Sequence, residues 1–127
     1  MSIRPLLLAF ALLVAPLASA ADISGLWKHA EEPGWIEISV EEGTGTVVRN
    51  DKFPERVGRK LLKDIRPDKS EPNSWQAQVF AEKLGEYKQA EVYLPQPDEM
   101  QIKIKVGFMS RTLEWRRVEA LPAAAAE

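Results

Sequence analysis

The 127-residue chain holds no cysteine and one histidine, and its 17 basic and 19 acidic residues leave a formal charge of −2. That length gives room for one domain and one core. The missing cysteine excludes disulfides, thiolate metal sites and cysteine nucleophiles, a single histidine excludes multi-histidine metal centres, and the mixed charge argues against general nucleic-acid binding.

Residues 1–20 read as a cleavable secretory signal peptide. Arg4 precedes the apolar run Leu6–Leu17, and Ala18-Ser19-Ala20 supplies a small-x-small cleavage site. The run falls short of the roughly 20 residues needed to span a bilayer, and Pro16 interrupts it. Cleavage leaves 107 residues and shifts the balance to 16 basic against 19 acidic. The expected compartment is the periplasm, with no stable membrane insertion after cleavage. A domain of that size without disulfides needs a well-closed core.

The rest of the chain reads as short strands cut by Gly and Pro. Ile23–His29 is the first. Trp35–Val40 alternates, with Ile36, Ile38 and Val40 on one face, and Glu41–Gly45 turns it into Thr46–Arg49 as a hairpin. Asn50–Glu55 is a polar loop. Arg56–Ile65 suits two readings: a short helix, with Val57, Leu61 and Ile65 at every fourth position, or an edge strand over Lys60–Ile65 guarded by basic residues. Arg66–Ser74 is a turn-rich loop. Trp75–Phe80 alternates, Leu84-Gly85-Glu86 turns, and Tyr87–Leu94 follows. Pro95–Asp98 breaks the chain again. Met100, Ile102, Ile104, Val106 and Phe108 then mark the cleanest amphipathic strand, Arg111–Val118 is the last, and residues 120–127 form a flexible Ala/Pro tail.

About eight strands at this spacing, with no long crossover helix, predict an all-β fold: a small antiparallel up-and-down β-barrel occupying residues 21–119 as a single domain. Eight strands enclose a space just wide enough for side chains or one small ligand.

The two ends of the mature chain carry a resemblance. Ser24-Gly25-Leu26-Trp27 gives a G-x-W start, and Arg111-Thr112-Leu113-Glu114-Trp115-Arg116-Arg117 an R-T-x-x-W-x-R close. Between them lie Leu61–Asp68 (LLKDIRPD) ahead of Trp75, and Lys83–Tyr87 (KLGEY). Over residues 23–118 the chain resembles an uncharacterised family of secreted bacterial domains of unknown function with a lipocalin-like, calycin-type barrel. It departs from that pattern in lacking an Asp-Pro before the turn at Tyr87 and in having no cysteine pair near Asn50–Glu55. The resemblance implies the barrel and implies no activity.

In a closed barrel the first and last strands are neighbours. Gly25, Trp27, Arg111, Thr112, Trp115 and Arg117 are therefore the expected closure residues, with an arginine of the last strand lying over Trp27. Arg117 is the first candidate for that arginine and Arg111 the second.

Candidate sites are few. His29 beside Glu31 and Glu32 suggests a general base or a metal site, but an ordinary surface role is the expectation. No nucleophile-elbow, zincin or phosphate-loop motif occurs, and the adjacent acids Glu31/Glu32 and Glu41/Glu42 point to opposite strand faces. The chain is therefore read as non-enzymatic, with no cofactor and no metal. The basic stretch Arg56, Arg59, Lys60, Lys63 and Arg66 suits anionic lipid headgroups or envelope polyanions, but a solvated, edge-protecting face is the preferred reading. The favoured function is binding a small lipophilic or amphipathic ligand in the barrel interior, lined by Ile36, Ile38, Trp75, Val79, Ile102, Ile104 and Trp115, with Tyr87 and Tyr93 offering hydroxyls. The alternative is an envelope interaction protein or hydrolase inhibitor with an unidentified protein partner, acting through Asn50–Glu55, Arg66–Ser74 and Pro95–Asp98.

Overall fold

The computed structural model describes residues 22–123. The segment read as a signal peptide and the last four residues of the tail lie outside the described residues. Eight antiparallel strands in sequence order close into an up-and-down barrel. They are β1 (Gly25–His29), β2 (Gly34–Ser39), β3 (Thr44–Asn50), β4 (Lys60–Pro67), β5 (Ser74–Ala81), β6 (Glu86–Gln96), β7 (Glu99–Val106) and β8 (Met109–Val118). The connections β1–β2, β3–β4, β5–β6 and β7–β8 share one end, called here the distal rim. The start of β1, the end of β8 and the other three turns lie at the proximal end.

Alternation sets the core. Ile36 and Ile38, Trp75, Ala77 and Val79, Ala90 and Val92, and Met100, Ile102 and Ile104 point inward from their strands and are buried with Trp27 and Trp115 in one cluster. Closure leaves no sheet edge unpaired, so no edge strand needs guarding.

Arg56–Ile65 is where sequence periodicity misleads. A 3-10 turn spans Pro54–Arg56, and β4 then pairs with β5 through a register shift between Lys63 and Arg66. Asp64 takes a positive φ of 55° inside this bulge, a conformation Asp tolerates better than most residues. The bulge rephases the strand so that Leu62 and Ile65, three apart, both face inward. Val57, first in the supposed helical series, is exposed. From Lys60 the segment is a strand, and its inward residues are Leu62 and Ile65 rather than the every-fourth series.

Other boundaries differ as well. Pro95 lies within β6, at a second register shift between Tyr93 and Gln96, where a residue without an N–H costs no ladder bond. The amphipathic strand ends at Val106, because β7 and β8 outrun the rim and leave Val106 and Phe108 in solvent. The tail is tied down at its start: Arg49 Nη1 donates to the Pro122 carbonyl at 2.9 Å.

The closure seam pairs Trp27 with Arg117 and His29 with Trp115. Trp27 is fully buried and its Nε1 donates to the Ile23 carbonyl at 2.8 Å. The Arg117 guanidinium lies 4.4 Å from the Trp27 ring centroid. It donates to the carbonyls of Asp22 (2.7 Å), Ser24 (2.8 Å) and Pro97 (2.9 Å). Gly25 has φ 128°, and a β-carbon there would stand 3.0 Å from Arg117 Nη1. The glycine in G-x-W is thus both a backbone and a clearance requirement. Of the two arginine candidates, Arg117 makes the closure. Arg111 stands on the same strand face but near the distal rim, and Thr112 faces outward opposite Lys103, so neither takes part.

Candidate functional site: the distal rim

The barrel interior holds one continuous cluster of buried apolar side chains. Ile38, Trp75, Val79, Ile102, Ile104 and Trp115 all lie in the buried cluster, as the alternation predicted. Tyr87 and Tyr93 do not join them. On β6 the inward positions are Ala90, Val92 and Leu94, so the two tyrosines face outward and are half-buried. Tyr87 donates its hydroxyl to the Lys60 carbonyl at 2.7 Å, and Tyr93 to Glu91 Oε1 at 2.6 Å. The Glu91 carboxylate accepting that bond pushes the Tyr93 phenol up to about 12. Bonds from Tyr93 and Lys105 hold Glu91 below its ordinary value.

The concave space lies at the rim instead. A cleft of about 360 Å³ is lined by His29, Ala30, Glu31, Glu32, Arg111, Thr112, Leu113 and Glu114. A second hollow, beside Met100 and Trp115, measures only about 20 Å³. The larger cleft lies where the β1–β2 loop meets the upper part of β8.

His29 organises its wall. The amides of Glu31 and Glu32 both donate to His29 Nδ1 at 3.0 Å, so the imidazole caps the loop as an acceptor. Lys28 Nζ closes the same loop from outside, donating to the carbonyls of His29 (2.7 Å) and Glu32 (3.0 Å). The imidazole meets Trp115 edge-to-face, with centroids 4.9 Å apart. Burial lowers the His29 pKa, and the nearby Glu32 and Glu31 only partly oppose this. Trp115 Nε1 is buried without a hydrogen-bond partner among the described residues. No group of three His, Asp or Glu side chains among the described residues is arranged to hold a metal ion.

The basic stretch does not form a free cationic face. Arg56 and Arg59 both reach Glu82 across the β5–β6 turn. Arg56 also stacks on Phe53 (3.9 Å), Arg59 on Phe80 (5.1 Å) and Lys63 on Tyr87 (4.2 Å). These cations cover aromatic rings on the outer wall. The loops expected to act as one interaction surface are divided: Asn50–Glu55 lies at the distal rim, and Arg66–Ser74 and Pro95–Asp98 at the proximal end.

Sequence reasoning missed two features. Trp35 faces outward and is nonetheless buried, with Lys28 (5.4 Å) and Arg49 (5.1 Å) over its ring. A register shift between Trp35 and Ile36 brings Arg49 opposite Trp35, and one-dimensional alternation cannot show that. The cleft was missed because its walls come from loops and strand ends far apart in sequence. Its one sequence signal was the single histidine followed by two acids.

No family model, curated protein or solved structure matches the chain.

Proposed function

We propose that the protein is a non-catalytic binding protein, acting in the periplasm, that takes a small amphipathic molecule at the distal rim rather than deep in the barrel. The observation that carries this reading is the 360 Å³ cleft at the rim, beside an interior occupied by a cluster of buried apolar side chains. Its volume suits a small ligand. Leu113 and Ala30 offer apolar surface, while Glu31, Glu32 and Glu114 outnumber Arg111. That balance favours an amphipathic ligand whose polar end is cationic, such as an amine. The use of His29 Nδ1 to cap the loop supports a structural role for the histidine and a binding function over catalysis. The resemblance to secreted barrel domains agrees with this reading without supplying a ligand.

The test titrates the chain from Ala21 onward with a short alkylammonium and with the matching neutral alcohol. Trp115 lies against His29, so occupancy alters tryptophan emission. The expected result is a saturable change with the amine, weaker with the alcohol, and weakened by on the order of tenfold in Glu31→Gln/Glu32→Gln. No saturable change with either compound overturns the proposal.

A further inference from the structure

The large apolar side chains left in solvent are concentrated at one end. Among the described residues, six large hydrophobics are exposed: Val57, Leu84, Val106, Phe108, Met109 and Leu121. The first five sit on three distal connections: Val57 on β3–β4, Leu84 on β5–β6, and Val106, Phe108 and Met109 on β7–β8. Phe108 is 100% exposed at the hairpin tip and Met109 65%, while Val57 and Leu84 are each 50% exposed. A domain that buries most of its apolar side chains in one core has no folding reason to present three hairpin tips this way.

Charge follows the same axis. The β7–β8 hairpin from Lys103 to Arg111 carries Lys103, Lys105 and Arg111 with no acid of its own, and Lys105 also pairs with Glu91 of β6 at 3.2 Å. The connection from Asp51 to Lys60 has four basic residues and two acidic ones, with Arg56 and Arg59 paired to Glu82, and Lys83 stands between Glu82 and Leu84. The proximal turns are acidic on balance, with Glu41, Glu42, Asp68, Glu71, Asp98 and Glu99 against Lys69. The fourth distal loop, with Glu31 and Glu32, carries no exposed large apolar residue and forms the wall of the cleft.

We propose that the three apolar-tipped hairpins of the distal rim dock the protein onto an anionic lipid surface, with Phe108 and Met109 as the principal anchors and Lys83, Lys105 and their neighbours meeting the headgroups. Tips standing apart on separate hairpins around one rim suit a flat, deformable surface. A protein groove selects a contiguous patch instead. Apolar side chains flanked by cations are what an anionic interface recognises. The acidic proximal end turns away from such a surface. Docking is peripheral and requires no strand to cross the bilayer. It does not depend on the ligand proposed for the cleft.

The experiment is co-sedimentation of the chain from Ala21 onward, which contains the whole closed barrel. It uses phosphatidylcholine vesicles with and without roughly one-third phosphatidylglycerol. Binding is expected to the anionic vesicles and to be much weaker to the neutral ones. Phe108→Ser/Met109→Ser is expected to lose at least about tenfold in partitioning. Lys83→Glu/Lys105→Glu is expected to lose on the order of tenfold, through its effect on headgroup attraction. Glu41→Gln, exposed in the proximal β2–β3 turn, leaves binding unchanged. Circular dichroism checks that each variant keeps the fold. Absence of sedimentation overturns the proposal, and so does sedimentation indifferent to the tip variant. Dimerisation that depends on the tips, without vesicle binding, overturns it in favour of self-association. Ligand titration of the cleft reads out separately, so failure of either reading leaves the other standing.

Discussion

Arg117→Ala tests how the barrel is held shut. The substitution removes three charge-assisted bonds, to the carbonyls of Asp22, Ser24 and Pro97, and the contact with Trp27. Arg117 is half-buried and two of its three carbonyl partners are in exposed surroundings, so each bond is given the ordinary net value of about 1 kcal/mol. The guanidinium–indole contact adds about 0.5–1 kcal/mol. With partial replacement of the lost bonds by water, the expected loss is about 2–4 kcal/mol. For a domain of this size that lowers Tm by on the order of 10–20 °C. Arg117→Lys keeps the charge, but one ammonium cannot span three carbonyls, so it recovers less than half the loss. A double-mutant cycle with Trp27→Leu isolates the ring contact from the carbonyl bonds. Urea and thermal unfolding followed by tryptophan emission give the numbers. A Tm for Arg117→Ala within about 2 °C of the parent would refute the reasoning, because the clamp would then contribute nothing that backbone pairing does not already supply.

The other predictions concern the sites around the barrel. Burial lowers the His29 pKa below 6.5, so the unfolded chain takes up that proton first as pH falls. His29 therefore makes stability fall with pH below 6.5, between the unfolded and the lowered folded value; imidazole NMR should place its titration below 6.5, and His29→Asn should flatten that part of the profile. Tyr93, raised to about 12 by Glu91, contributes stability that is present below about pH 10 and is lost as pH rises through the folded value. Tyrosinate absorbance should show it ionising late, and Glu91→Gln should return it towards 10; an unchanged titration in that variant would break the assignment. Gly45→Ala should cost about 1–3 kcal/mol in urea unfolding, since the new methyl would stand 3.1 Å from Leu62 Cδ1 and 3.2 Å from its Cβ in a filled core.

Alternation was enough to read the architecture because a barrel's inner and outer faces repeat every two residues. It placed Ile36, Ile38, Trp75, Val79, Ile102 and Ile104 inside from their spacing alone. The same rule failed wherever the ladder slipped. The bulge at Asp64 put Leu62 and Ile65 on the same face three residues apart, and the shift beside Trp35 set Arg49 opposite an aromatic on the outer wall. On β6 the choice between Ala90–Val92–Leu94 and Tyr87–Tyr93 came down to phase. Hydroxyls look plausible beside a ligand, yet the smaller alanine and valine are what a filled eight-stranded interior accommodates. Arg117 over Trp27 was legible because closure makes the chain ends neighbours; the three carbonyls it also binds were not, since backbone acceptors leave no mark in a sequence.

The Arg117 clamp and the proposed recognition surfaces lie at opposite ends of the barrel axis, and that separation fits the placement of the exposed apolar residues. The proximal end holds the Arg117 clamp, which ties the N-terminal segment, β8 and the β6–β7 turn together. Stability fixed there leaves the distal hairpins free of packing duty. Val106, Phe108 and Met109 extend past the core, and their contribution to folding is correspondingly small. Side chains exposed this way raise the risk of aggregation unless charge offsets it, and Lys103, Lys105 and Arg111 bracket the tip. A merely structural hairpin needs neither the apolar tip nor the cations around it. Their coincidence at the rim that also holds the cleft places the candidate recognition surfaces at one end of a barrel whose clamp is at the other.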